Sequence, residues 1–369
     1  MKNRYQGPSL YFASDKNIFV ALNQHKVDTR TVMKLFDDRN IIVSKKTPRE
    51  SLALYFARLN HDFEDNQLIA VRLGVAPRRE RITSVQVNGI PDKDSLTVAI
   101  SKVKEELEKL GDVIQITNTG TSQILNIQYT TVDYTRSEFS QVRTQDGLIE
   151  FVGADEGFTV RSTQNDYVGG VRDMILRKIE TTQAVKLDRT VVSLFDVPDA
   201  RLRSKFFDKL TNELPEFRRL DVLAAYVYKP RPGGARGDDA PAEIDTHVER
   251  VSLRGVGVTR SDVFNKLLSE DNYYITRISW LCSRTVSTGT TYEIDAAFEE
   301  PGECTAFSFV LSGVYPVEEG VATKRKRIPT MTQVDDIARA IDAHSRRVML
   351  DIKKEAGKTD SEVPDAHKV

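Results

Sequence analysis

The sequence predicts an α+β protein in which a small N-terminal helical module is followed by two α+β domains with mostly antiparallel sheets. The chain has 369 residues, enough for two or three domains of about 150 residues each. Of these residues 40% are apolar and 29% are charged, a composition typical of globular proteins. Stretches with apolar residues at helical spacing alternate along the chain with short extended runs, which indicates mixed helices and strands.

Charge is distributed unevenly along the chain. Residues 1–82 hold 15 Lys and Arg against 9 Asp and Glu, whereas the remaining residues hold 38 against 45. Because phosphate binding depends on the local density of Lys and Arg, this asymmetry favours contact with a polyanion in the N-terminal part. The alternative interpretation is that the excess of cations is ordinary solvated surface.

The first element in chain order is the basic helical module at residues 1–82. Apolar residues keep helical spacing over two stretches, and the segment RNIIVSKKTP between them has the pattern of a short extended turn. Thr47 or Ser44 is expected to cap the second helix, with Pro48 at its first position and Glu50 completing a T-x-x-E capping box with Thr47. The apolar positions of the two helices are Val32, Leu35, Phe36, Leu52, Leu54, Tyr55, Phe56 and Leu59.

Two α+β domains are predicted next, at residues 83–180 and 181–330. Three segments share an order of strand, short turn and amphipathic helix: SVQVNGIPDKDSL, TVVSLFDVPDARLRSKFFDKL and RVSLRGVGVTRSDVFNKLL. Duplication and chance both explain this recurrence. Trp280, in the apolar run ISWLC, is expected to lie in the core. The first two helices carry apolar stripes at Leu96, Ile100, Val103, Leu107 and Leu110, and at Leu202, Phe206, Leu210 and Leu214.

The remaining segments are a loop, a helix and a tail. Residues 229–246, KPRPGGARGDDAPAEIDT, have no helical or strand period and are predicted to form a flexible loop. Residues 331–356 are predicted to form an amphipathic helix, and residues 357–369 a disordered tail. The apolar stripe of this helix consists of Val334, Ile337, Ile341, Val348 and Ile352.

The run VMKLFDDRNIIVSKKTPRESLALYFARL, within residues 29–59, resembles the SAP and helix-extended loop-helix family of small DNA-binding motifs. The resemblance implies that the start of the second helix and the loop before it meet the DNA backbone, where contacts position the protein without reading sequence. It implies phosphate contacts from Lys45, Lys46 and Arg49, with Ser44 and Thr47 as hydroxyl donors.

The sequence departs from this family at Asn40, which stands where the first helix usually ends in glycine. Because asparagine tolerates the left-handed conformation, the turn is still expected to form. The alternative to a DNA-binding motif is a generic helical hairpin that packs on the rest of the protein or on a partner.

Other residues with potential chemistry are few. Glu293 and Asp295 share one face of the strand TYEIDAAF, opposite its apolar residues, and are expected to face solvent. A nuclease of the PD-(D/E)xK kind would also need a lysine where Ala297 stands. The cations of KRKRIP, residues 324–329, are either phosphate contacts or plain surface. Zinc-binding, phosphate-loop and nucleophile-elbow patterns are missing, so neither a metal site nor a cofactor is predicted.

These observations predict a non-catalytic, DNA-associated subunit of a bacterial multi-protein DNA-processing or phage-defence system. Its partners would be the DNA phosphate backbone and other protein subunits. Since the sequence lacks a run of 18 apolar residues and a signal-peptide pattern, a cytoplasmic protein without membrane contact is expected. Two alternatives remain: a scaffold or assembly subunit that does not bind nucleic acid, and a divergent metal-dependent nuclease that uses Glu293 and Asp295.

Overall fold

The computed structural model consists of helices and mostly antiparallel strands, which confirms the predicted α+β class. It divides into two compact units, unit 1 with Met1–Arg78 and Lys93–Ile149, and unit 2 with Arg79–Asp92 and Glu150–Val369. The structure describes residues 13–24, 27–62, 64–66, 68–69, 80–88, 93–119, 122–135, 138–154, 157–230, 248–270, 272–286, 289–318, 321–323 and 325–361.

The helices and strands of the described residues are numbered here in chain order. The helices are α1 (Asp15–Asn23), α2 (Thr29–Asp37), α3 (Arg49–Ala57), α4 (Lys93–Glu108), α5 (Glu138–Gln141), α6 (Asp166–Gln183), α7 (Ala200–Asn212), α8 (Asp262–Ser269) and α9 (Met331–Ser361). The strands are β1 (Ile82–Asn88), β2 (Val113–Thr119), β3 (Ser122–Val132), β4 (Val142–Ala154), β5 (Gly157–Thr163), β6 (Asp188–Val191), β7 (Phe217–Tyr228), β8 (Arg250–Arg254), β9 (Tyr274–Arg284), β10 (Thr291–Glu300), β11 (Thr305–Tyr315), β12 (Val317–Glu318) and β13 (Val321–Ala322).

The first described helices of unit 1 are α1, α2 and α3, of which α2 and α3 form the predicted helical hairpin and α1 was not predicted. The side chains of Ser14 and Asp28 cap α1 and α2 by accepting hydrogen bonds from backbone N–H groups in the first turn. The capping box predicted for α3 does not form, because the helix begins at Arg49 with Pro48 in the cap position and Thr47 one residue too early. Pro48 in the cap position makes no side-chain hydrogen bond to the N-terminus of α3.

In the core formed by α1, α2 and α3, the residues of α2 and α3 follow the predicted helical spacing. Phe36 is fully buried, meets the Phe56 ring edge-on at 5.3 Å between centroids, and stacks with Tyr55 at 5.6 Å. Leu54 and Tyr55 are the departures, since they are 43% and 48% exposed. The buried apolar residues of α1, α2 and α3 are Ile18, Ala21, Leu22, Val32, Leu35, Phe36, Leu52, Ala53, Phe56 and Ala57.

Unit 2 is built on a large antiparallel sheet. Its strands follow the order β5, β1, β11, β10, β9, β7, β8, and β6 also pairs with β1. Helix α7 packs against β9 and against α9, and the apolar residues of these elements form one continuous core. Trp280 on β9 is fully buried in this core, as predicted.

The observed division differs from the domain boundaries predicted after residues 82 and 180. Strand β1 lies between α3 and α4 of unit 1 in the chain but pairs with β5, β6 and β11, so it belongs to unit 2. The predicted domain at residues 83–180 is shared between both units. Strand pairing joins segments that are far apart in sequence, and local composition does not reveal which segments pair.

The C-terminal helix begins where predicted and continues to Ser361, beyond the predicted end at residue 356. Ile337, Ile341, Val348 and Ile352 are buried in the core of unit 2, which confirms the predicted stripe. The predicted tail from residue 362 onward, and the predicted loop between residues 231 and 246, lie outside the described residues.

His344 on α9 gives the fold a pH dependence. Its ring Nε2 lies 3.2 Å from the Lys209 carbonyl oxygen on α7, and Arg347 donates to Nδ1 at 3.0 Å. Burial lowers the pKa of His344 below 6.5, aided by Arg347 and opposed by the Lys209 carbonyl and by Glu213 and Asp351. The folded protein therefore binds this proton less readily than the unfolded chain does, and stability is lost as the pH falls below about 6.5.

Substitution of His344→Gln is expected to reduce this loss of stability, because glutamine keeps a donor for the Lys209 carbonyl and cannot take up a proton. The measurement is urea unfolding of both proteins at several values between about pH 7 and pH 5. The wild-type protein should lose more stability over this interval than the variant. Parallel pH profiles of the two proteins would contradict the assignment.

Candidate nucleic-acid interface

The predicted DNA-contacting residues lie in an ordered turn between α2 and α3. Asn40 adopts the left-handed conformation with φ 56°, as predicted, and the N–H of Ile41 donates to the Phe36 carbonyl at 2.9 Å. The N–H of Thr47 donates to the Ser44 carbonyl at 3.0 Å. These backbone bonds give the segment before α3 a defined conformation.

Ser44, Lys45 and Lys46 are exposed in this turn, and Thr47 is half-buried. The Ser44 hydroxyl accepts a hydrogen bond from the Lys46 N–H at 3.2 Å, which orients the turn. In the part of the chain that the structure describes, neither lysine ammonium pairs with a carboxylate. Both cations are therefore available to an anion in solution.

Arg49 has a different environment from the one that the resemblance implies. Its Nε donates to the Leu22 carbonyl at 2.8 Å, and its Nη2 donates to the Gln24 carbonyl at 2.5 Å and also to the Val27 carbonyl. The guanidinium thus connects the start of α3 by hydrogen bonds to the end of α1 and to the backbone after it. The structure brings Lys45 and Lys46 together in one exposed turn and gives Arg49 an internal role.

The exposed side chain of Ile42 is a feature of this turn that was not predicted from the sequence. Its side chain is 98% exposed, two residues before Ser44. The neighbouring Ile41 and Val43 pack against the core of the hairpin, so the extended segment alternates between buried and exposed side chains. The alternation along this extended segment could have predicted the exposure of Ile42, since an isoleucine between two inward-facing residues points outward.

The alternative catalytic pair, Glu293 and Asp295, does not face solvent as expected. Asp295 is 6% exposed, pairs with Arg81, and accepts hydrogen bonds from Arg277 Nε at 3.0 Å to each carboxylate oxygen. The Tyr315 hydroxyl donates to Glu293 at 2.6 Å. The apolar face was predicted correctly, but side chains from neighbouring strands cover the other face. Cations already neutralise Asp295, so this pair of carboxylates has little remaining capacity to coordinate a metal ion.

Of the basic cluster at residues 324–329, residues 325–329 are described and Lys324 lies outside the described residues, and part of the described segment is hydrogen-bonded to the sheet. Lys326 Nζ donates to Glu293 at 2.7 Å. The backbone of Arg327 exchanges hydrogen bonds with Val314 at 2.8 and 3.1 Å, forming an isolated bridge beside β11. Lys326 thus forms an ion pair within the protein, which favours the interpretation of this cluster as ordinary surface over that of a phosphate contact.

Other chemistry is limited in the described part of the chain. No group of three or more His, Cys, Asp or Glu side chains there is placed to hold a metal ion. Burial raises the pKa of Cys282 to about 12 and that of Cys304 to about 11, so both thiols stay protonated at neutral pH. Among the described helices, none combines the length and apolar character needed to cross a bilayer.

Comparison with known proteins adds no family assignment. No protein-family model matches the chain, and no curated protein matches it at a significant level.

Proposed function

We propose that the chain is a DNA-associated subunit that contacts the phosphate backbone through the turn formed by Ser44, Lys45, Lys46 and Thr47. The observation that carries this proposal is the pair of adjacent, exposed lysines without a described carboxylate partner. They lie shortly before α3, a helix of nine residues whose cap residue, Pro48, makes no side-chain hydrogen bond to it. Ammonium groups and free helix-start N–H groups both bind phosphate oxygens.

In this proposal the subunit is non-catalytic and serves a bacterial DNA-processing or phage-defence assembly whose chemistry resides in other proteins. The paired carboxylates Glu293 and Asp295 argue against the nuclease alternative. The contacts from Lys45 and Lys46 would be to phosphate only, so they position the protein without selecting a sequence.

The test is the double substitution Lys45→Glu/Lys46→Glu, measured by fluorescence anisotropy of a labelled duplex at salt concentrations from about 50 to 200 mM. Each phosphate contact contributes about 0.9 to the slope of log affinity against log salt for duplex DNA. Loss of both contacts is expected to weaken binding at the lower salt and to reduce this slope by about 1.8.

Lys102→Glu/Lys109→Glu is the matched control, since Lys102 on α4 and Lys109 directly after it are both exposed in the same unit and the charge change is identical. It is expected to retain most of the affinity and the full slope. Equal losses in the two double variants would contradict a specific role for the turn. No wild-type binding at about 50 mM salt would overturn the proposal and favour the assembly subunit without nucleic-acid contact.

A further inference from the structure

Unit 2 carries a cluster of arginines around one tyrosine at the edge of its sheet. Tyr226 on β7 lies directly opposite Arg277 on β9, and Arg254 projects from the same face of β8. The guanidinium carbons of Arg254 and Arg277 lie 5.6 and 5.0 Å from the centroid of the Tyr226 ring. Arg254 also donates a hydrogen bond to the Tyr226 hydroxyl. The three side chains thus form a contiguous aromatic and cationic surface.

This surface, defined here as the Tyr226 platform, has an excess of positive charge. Arg277 shares the carboxylate of Asp295 with Arg81. Arg254 is exposed and forms no ion pair with any carboxylate in the described ranges. The Arg277 side chain is 44% exposed, so an incoming ligand can reach both flanking guanidinium groups.

The edge beside the Tyr226 platform is held in a fixed conformation. β8 is the last strand in the sheet order, and the turn after it contains Gly257 at φ 70°, a conformation that favours glycine. Both carboxylate oxygens of Asp221 lie 3.2 Å from the Gly257 N–H, and the Gly255 N–H donates to the Leu223 carbonyl at 3.0 Å. The turn holds Val256 with its side chain 91% exposed. The turn beside the Tyr226 platform therefore has a defined conformation.

We infer that the Tyr226 platform binds single-stranded nucleic acid. A guanidinium plane stacks on a nucleobase and its N–H groups donate to phosphate oxygens, so Arg254 and Arg277 supply both contacts that a single strand needs. A single strand can lay its bases on a sheet face, whereas the bases of a duplex are stacked inside the helix. This site is separate from the turn at Lys45 and Lys46 and does not depend on the function proposed for that turn.

Arg254→Glu is the decisive variant, because Arg254 is exposed and its described partner is Tyr226 alone. The probe is a labelled oligothymidylate strand of about 20 nucleotides, longer than the about 4–16 nucleotides that one OB-fold, a common single-strand-binding domain, covers. We expect Arg254→Glu to weaken its binding about tenfold at low salt, with a smaller effect on a duplex. Arg254→Lys keeps the charge but removes the planar group, so it should lose part of the affinity.

Lys354→Glu serves as the matched control, since it makes the same charge change at an exposed position on α9. It should bind the strand like the wild-type protein. Single-strand binding that is unchanged in Arg254→Glu, or an equal loss for strand and duplex, would overturn the inference. If Lys45→Glu/Lys46→Glu alone abolishes duplex binding while Arg254→Glu alone weakens single-strand binding, both proposals stand, and either can fail without the other.

Discussion

Replacing Arg161 with alanine is expected to lower the free energy of unfolding by about 3–5 kcal/mol at neutral pH, because it removes the cation that pairs with two buried carboxylates. Arg161 on β5 is 6% exposed. Its Nη1 lies 3.0 Å from Glu150 Oε2 on β4, and its Nε pairs with Asp342 on α9. Glu150 and Asp342 are 7% and 1% exposed, so both carboxylates are largely removed from solvent.

Urea unfolding of wild type and Arg161→Ala at about pH 7 and pH 5 measures this effect. Burial already raises the pKa of Asp342, and Arg161 opposes this rise, so removing Arg161 should raise the pKa of Asp342 further. Protonation of Asp342 then stabilises the folded variant as the pH falls, so the difference from wild type should shrink at the lower pH. Arg161→Lys should show a smaller loss, since an ammonium retains the charge without the planar fork. A loss below about 1 kcal/mol, or a difference that grows at the lower pH, would contradict this account of the network.

The region around Arg161 contains one feature that the sequence could predict and one that it could not. The apolar stripe of α9 was predictable, since Ile337, Ile341 and Ile352 recur at helical spacing and are all buried. Asp342 lies beside Ile341 and is just as buried, yet its partner Arg161 is 181 positions away in the chain. A buried carboxylate depends on such a distant partner, and the order of strands in the sheet determines which residues meet.

The sheet face around Asp295 also depends on tertiary contacts that the sequence does not reveal. Strand alternation correctly separated Ile294 from its polar neighbours, and Ile294 is fully buried. It could not show that Arg81 and Arg277 would close over Asp295, because these residues lie far apart in sequence. Alternation predicts which side a residue occupies, and only tertiary contacts decide whether that side meets water.

At the candidate interface, local signals were more informative than resemblance. The left-handed Asn40 and the exposed Lys45 and Lys46 follow from residue type and turn position. The internal role of Arg49 depends on the end of α1 and the backbone after it, more than 20 residues earlier, where the Leu22 and Val27 carbonyls accept its hydrogen bonds. A motif places a residue near a site, whereas the packing of neighbouring helices decides whether its side chain is free.

Phe206→Ala is expected to lower the free energy of unfolding by about 3–5 kcal/mol, since it leaves a cavity at the centre of the aromatic cluster in unit 2. Phe206 on α7 is fully buried. Its ring centroid lies 5.3 Å from those of Phe207 and Phe298 and 5.5 Å from that of Phe307. Neighbouring rings are rigid, so they can fill little of the space that the substitution creates.

The matched control is Phe195→Ala, which deletes the same atoms from a side chain that is 64% exposed. It should change stability by no more than about 0.5 kcal/mol, because little apolar surface is returned to water. Guanidinium chloride unfolding of both variants gives the comparison. Similar losses in the two variants would show that the Phe206 cluster does not hold the sheet and α7 together. A large loss in Phe206→Ala alone would identify this contact as central to unit 2, because the helix that carries the ring also packs against α9.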